Sequence, residues 1–328
     1  MGNLPEVLGA CQQWLMRITA PLPIELQGRS FTLAEQQAAG LPDHRAWNSD
    51  LRVASRGIRV PWGKEQDPVH TARLLTAVSG GAVCCRETAA MLWGCPLPWD
   101  AQHDFLVHLT RADGTFRPQR RGVRGHRMVL MDSDVSAIDG IPVTTPARTW
   151  LDLAGVLPFE DLVAAADHFI CSQTRSFGHN RVPLCSVDDL KAQVERHAGA
   201  RGIRKARAAL DLARVGADSV PETRLRLAIG RDFLPEPVLS YVVCDPAGRE
   251  LVWPDLAFPD FKVAINYDGG HHLSAAQKES DIRREASLAA NGWISVVITV
   301  EQVRESGYDG VVRRIREALI RGGWSPRG

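Results

Sequence analysis

Residues 250–268 read Glu-Leu-Val-Trp-Pro-Asp-Leu-Ala-Phe-Pro-Asp-Phe-Lys-Val-Ala-Ile-Asn-Tyr-Asp, and Gly269-Gly270-His271-His272 follow. Two apolar stretches, 250–258 and 261–268, flank a Pro259-Asp260 turn, which is the pattern of an antiparallel hairpin. If Phe258 pairs with Val263, Asp255 stands opposite Asn266, and Asp268 lies two positions on along the same face. A slip of one residue would turn the second strand's pair to the other face. Two acids and an amide on one face suit a hard divalent cation, which takes oxygen ligands and keeps several waters. Gly269-Gly270 allows close backbone approach, and His271 or His272 beyond it would move a proton near neutral pH.

The surroundings of this hairpin read as one unit. Ser219-Val220-Pro221-Glu222 opens a helix; Glu222 stands three residues after Ser219, so it either completes a capping box or positions metal-held water. After the hairpin, a helix is expected over about 275–291, ended by Gly292. An apolar strand at 293–300 and a last amphipathic helix near 310–320 complete the unit.

The ordered motifs Ser-x-Pro-Glu-Thr-Arg-Leu-Arg, Pro-Asp-Leu-Ala-Phe-Pro, Val-Ala-Ile-Asn-Tyr-Asp-Gly-Gly-His-His and Asp-Ile-Arg-Arg-Glu with Asn-Gly-Trp resemble the Vsr-like endonucleases. These are very-short-patch-repair-like members of the PD-(D/E)-x-K superfamily, and the resemblance covers about the last third of the chain. It implies a mixed sheet flanked by helices and magnesium-dependent hydrolysis of DNA phosphodiesters, with manganese as a substitute ion. Carried over residue by residue, Asp255 and Asp268 would bind metal with Asn266 as a neutral ligand. Glu222 would position water, and His271 or His272 would assist proton transfer. Related sequences carry Glu where Asn266 stands, and Asp268 occupies the position of the superfamily's Lys. A site short of one negative charge and one ammonium favours the alternative, a non-cleaving DNA-binding regulator or antitoxin-like protein.

The front of the chain has a different pattern. Phe31-Thr32-Leu33-Ala34-Glu35 starts a helix with a Thr-x-x-Glu capping box, Gly40 ends it, and Pro42 opens a second helix through about Leu51. Ser55-Arg56-Gly57-Ile58-Arg59-Val60-Pro61 then alternates as a small basic hairpin. Helix, turn, helix and hairpin is the order of a winged helix-turn-helix. In that reading the second helix offers Arg45, Asn48 and Arg52 to DNA, and the wing offers Arg56 and Arg59.

Between 65 and 216 the sequence reads as an α+β scaffold with an arginine-rich hairpin around Arg120, Arg121 and Arg124 and a basic stretch at Arg204-Lys205. Either would hold phosphates. Asp167 and His168, adjacent on a helix, are expected at exposed positions. The Phe-Thr-x-x-Glu start, the Arg-Gly wing and Thr145-Pro146-Ala147-Arg148-Thr149 make the front half similar to AbiEi-like antitoxin regions. That resemblance implies DNA and a cognate toxin as partners.

Composition bounds these readings. The chain has 328 residues, 39 basic against 38 acidic, 45% apolar and 23% charged. This suits a globular protein with no global field drawing it to a polyanion. Seven cysteines without a C-x-x-C pair argue for reduced thiols and a cytoplasmic location. No apolar run reaches the roughly 18 residues of a membrane span, and no secretory signal is expected. The expected fold class is mixed α/β. It comprises a winged-helix unit at 1–64, the α+β unit at 65–216 and a restriction-endonuclease-like mixed sheet flanked by helices at 217–328.

Overall fold

A computed structural model describes residues 21–64, 67–98, 100, 106–173, 180–217, 219–268 and 275–326. The architecture is mixed α/β, and among the described residues a small three-stranded sheet comes first along the chain. β1 (Phe31–Thr32) leads into α1 (Leu33–Ala38), and β2 (Leu51–Ser55) and β3 (Ile58–Pro61) form the hairpin, in spatial order β1-β3-β2. The capping box forms: Thr32 Oγ1 accepts from Glu35 N at 3.0 Å, and Glu35 Oε2 accepts from Thr32 N at 2.7 Å.

The second helix expected from Pro42 does not form. A five-residue 3-10 turn, Asp43–Trp47, takes its place, and Leu51 already begins β2. The side chains explain it. Buried Arg45 donates both terminal nitrogens to Asp50, at 2.9 and 2.6 Å, a five-residue spacing that a continuous helix does not bring face to face. Buried Arg59 donates to the Ala46 carbonyl at 2.6 Å and lies 4.6 Å from the Trp47 ring centroid. These contacts hold the segment as a turn.

The middle region begins with α2 (Pro68–Ala77), β4 (Ala82–Cys84) and α3 (Arg86–Leu92). β5 (Val107–Arg111), β6 (Val123–Gly125), β7 (Val135–Ile138) and β8 (Ile141–Thr144) follow. The five strands pack in the order β6-β5-β4-β8-β7. β5 and β6 are parallel, so the arginine-rich segment is a crossover and the expected hairpin is corrected. Parallel neighbours need about a dozen residues to return, which 112–122 supply. Four helices complete the region: α4 (Pro146–Leu153), α5 (Phe159–Ile170), α6 (Val187–Arg196) and α7 (Ile203–Leu212). Trp150, Leu162, Phe169 and Leu190 are fully buried among them.

The last region contains α8 (Val220–Arg231), β9 (Val238–Leu239), β10 (Val243–Cys244), β11 (Glu250–Val252) and β12 (Leu256–Phe258). β13 (Val263–Asp268), α9 (Ala275–Ala290), β14 (Ile294–Thr299) and α10 (Val300–Arg321) close it. Gly307, at φ 66°, breaks α10. The hairpin register is the expected one, with Phe258 opposite Val263 and Leu256 opposite Ile265. The stretch 250–258 is two strands in two sheets, because Pro254 cannot donate to a ladder. β13 runs parallel to β14, Asp268 standing beside Thr299, within the four-stranded sheet β14-β13-β12-β9. Val263 and Ile265 face α8 and α10, whereas Ala264 packs with Leu288 of α9 on the other face.

The middle and last regions meet through α5 and α8. Asp167, 1% exposed, is buried, contrary to the expected surface position. Its carboxylate accepts from Arg226 Nη2 at 2.7 Å, Thr223 Oγ1 at 2.8 Å and Arg214 N at 2.7 Å. Arg224 reaches Asp161 at 2.6 Å beside this cluster. Removing one partner of a buried pair strands the other charge without water. Asp167→Ala should therefore lower unfolding free energy by about 3–5 kcal/mol in urea titration. The apolar double variant Asp167→Leu/Arg226→Met should recover most of that loss. A loss under about 1 kcal/mol for Asp167→Ala would show the pair to be dispensable.

Candidate functional site

Asn266 and Asp268 lie two positions apart on β13, and Asp255 immediately precedes β12, next to Leu256, which pairs with Ile265. Asp255 also has a local task. Its Oδ2 accepts the Tyr267 amide at 2.7 Å, holding the end of β13 where β12 has not yet begun. Glu222 belongs to a different layer. It is buried in the first turn of α8, whose Leu225 and Ile229 pack on the Val263–Ile265 face. Its amide donates to the N-cap Ser219 Oγ at 3.4 Å, and its Oε1 accepts from the same hydroxyl at 2.8 Å. His271 and His272 lie outside the described residues. Among the described residues no group of three or more His, Cys, Asp or Glu is disposed to hold a metal ion. Glu222 thus does not join the two aspartates in a three-acid set.

The cations sort into two groups. Arg45 and Arg59 are buried and spent on the turn that replaces the second helix, so neither reaches a ligand as expected. Arg120 donates to the carbonyls of Arg56 and Val78, and Lys205 donates to the Leu157 carbonyl. Asn48 is half-buried at the end of the 3-10 turn, and Arg52 is half-buried on β2. Arg56, Arg121, Arg124 and Arg204 are exposed. Arg117, on the same connection as Arg121, and Arg127, just after β6, are exposed too. Arg111, at its start, donates to the Gly80 carbonyl and pairs with Asp113.

A polar cluster that sequence reasoning did not single out lies where β4, β5 and β6 meet. Glu87 Oε2 stands 2.6 Å from His108 Nδ1, and the His108 and His126 rings are 5.0 Å apart. Although burial pushes the Glu87 carboxyl up, its bond with His108 holds it below the ordinary value. Burial, then Arg86 and His108, push the His126 imidazolium down to about 4. No local signal announces the cluster, since only the parallel β5–β6 pairing brings residues 108 and 126 together.

With this geometry in place, comparison with known proteins is informative for the middle region. Residues 82–212 match the AbiEi antitoxin C-terminal domain, a span that holds the five-stranded sheet, α3 to α7 and the arginine-rich crossover. The match ends before α8. Two uncharacterized proteins of Mycobacterium tuberculosis are similar to the chain, MT2308 of strain CDC 1551 and Rv2248 of strain H37Rv. Each is 29% identical over 262 residues, covering 78% of this chain and 90% of its own length. No solved structure matches the chain. Among the described residues no helix is long and apolar enough to cross a membrane.

Two expectations follow from the geometry. Asp255→Ala leaves the Tyr267 amide without its acceptor and should cost about 1–3 kcal/mol in denaturant unfolding, with or without magnesium present. An unchanged midpoint would mean that Asp255 does not hold the strand end. His126, whose folded value of about 4 lies below its ordinary 6.5, favours the folded state only when neutral. Its contribution is complete above pH 6.5 and is lost as pH falls from 6.5 toward 4. His126→Gln should flatten the fall in thermal midpoint over that window, and identical slopes in both proteins would refute the assignment.

Proposed function

We propose that the chain is an AbiEi-antitoxin-like DNA-binding regulator whose C-terminal unit does not cleave DNA. One observation carries the reading: the span matching the antitoxin domain exposes Arg117 and Arg121 on the crossover, Arg124 on β6 and Arg127 just after it. The same family description makes a cognate toxin the protein partner to seek. Because a 3-10 turn with buried Arg45 stands where a recognition helix was expected, contact falls to phosphates more than to base edges. Such binding is salt-dependent and weakly sequence-selective.

A second reading, the magnesium- or manganese-dependent endonuclease, is favoured by the β12–β13 register, which continued by one residue would set Asp255 opposite Asn266, two positions from Asp268. In that reading Glu222 orients water and His271 or His272 assists proton transfer.

One experiment separates the two. The purified chain is titrated onto duplex DNA at several salt concentrations and incubated with supercoiled plasmid plus magnesium or manganese. Binding that weakens with salt and leaves the plasmid intact is expected. The Arg117→Ala/Arg121→Ala variant should reduce the log–log salt slope by about 0.9 for each lost phosphate contact. Metal-dependent nicking that vanishes in Asp255→Asn would instate the endonuclease, and the absence of any duplex binding would defeat both readings.

A further inference from the structure

Arg120 was expected to meet phosphate, yet its side chain is turned inward. Its Nη1 donates to the Arg56 carbonyl, in the turn between β2 and β3, and Nη2 donates to the Val78 carbonyl, at the end of α2, at 2.6 Å. The fork therefore ties the N-terminal hairpin to the middle region across 64 residues of sequence. The two surfaces are in contact there. A Cβ added at Gly57, which holds φ +83° in that turn, would meet Val78 Cγ1 at 3.8 Å. Ile58 is buried among Ala72, Leu74 and Leu75 of α2. The same turn is fastened to α1 by the Leu33 amide, which donates to the Gly57 carbonyl at 2.9 Å. Arg56 and Arg121, on either side of this junction, point to solvent.

We propose that Arg120 is a positioning residue: its bidentate grip on two backbone carbonyls fixes the Arg56 turn against the arginine-rich crossover. The exposed cations of both units then meet one nucleic-acid backbone as a preset array. This rests on the DNA-binding reading for its consequence, but the grip itself can be measured without DNA. A preset array does not have to be ordered on association, which is where rigid binders gain affinity. Only a planar fork spans two fixed acceptors in this way. A lysine keeps the charge but is a single point donor on a flexible stem.

The test compares Arg120→Ala, Arg120→Lys and Arg121→Ala in the full chain, with thermal midpoints to verify that each is folded. Both Arg120 variants should weaken duplex binding about tenfold while leaving the salt slope unchanged. Arg121→Ala should lower the slope by about 0.9. In DNA-free protein, amide exchange at Leu33 should quicken about tenfold or more in Arg120→Lys. The proposal is overturned if Leu33 exchange is unchanged in Arg120→Lys. It is equally overturned if Arg120→Lys binds as wild type while Arg120→Ala loses slope as Arg121→Ala does, since Arg120 would then be a phosphate contact. Should the wild-type chain bind no duplex, the DNA reading fails, and the exchange result alone decides whether Arg120 holds the turn.

Discussion

The carboxylate of Asp167 is the constraint around which the two larger regions are arranged. It sits on α5, is closed off from water, and receives a backbone amide, a hydroxyl and a guanidinium from the segment 214–226. Burying that charge is tolerable only because all three donors arrive together. The arrangement decides what α8 can do. Thr223 and Arg226 are turned toward Asp167, Arg224 toward Asp161, and Glu222 toward its own cap at Ser219. The helix whose sequence resembles part of a nuclease motif is thus, in this chain, an interface helix.

A similar economy governs the arginines. The chain is nearly neutral, with 39 basic and 38 acidic residues, so function through cations depends on which are left outside. Arg45 and Arg59 shape the N-terminal turn, Arg120 bridges two carbonyls, and buried Arg148 pairs with both Asp134 and Asp152. A rigid five-donor fork suits such bridging. Arg56, Arg117, Arg121, Arg124 and Arg127 are exposed. The basic surface is therefore local, and its geometry is set by arginines that do not belong to it.

The legible parts of the sequence were those governed by short-range rules. The Thr32–Glu35 capping box and the hairpin register from Phe258 and Val263 follow from neighbours a few residues apart. The misread parts depended on distant partners. Residues 42–51 carry a helical pattern, but Arg59 reaches back thirteen residues to hold them as a turn. The arginine-rich segment was read as a hairpin because β5 and β6 are close in sequence, whereas their parallel pairing is set by the sheet. Asp167 was read as exposed because its partners Thr223 and Arg226 lie more than fifty residues away. Around the candidate site, the pairing of Phe258 with Val263 was legible. The bond from the Tyr267 amide to the Asp255 carboxylate was not, since it depends on the bend that precedes β12.

The proposed nucleic-acid surface is formed by the hairpin turn and the crossover, with Asp255 and Asp268 taking no part. Hydrogen exchange of the full chain, read peptide by peptide with and without a saturating duplex, tests this most directly. Slowed exchange over residues 52–57 and 117–127, with 255–268 unaltered, is the predicted pattern. Slowing confined to 255–268, with the two arginine-bearing segments unaffected, would contradict it.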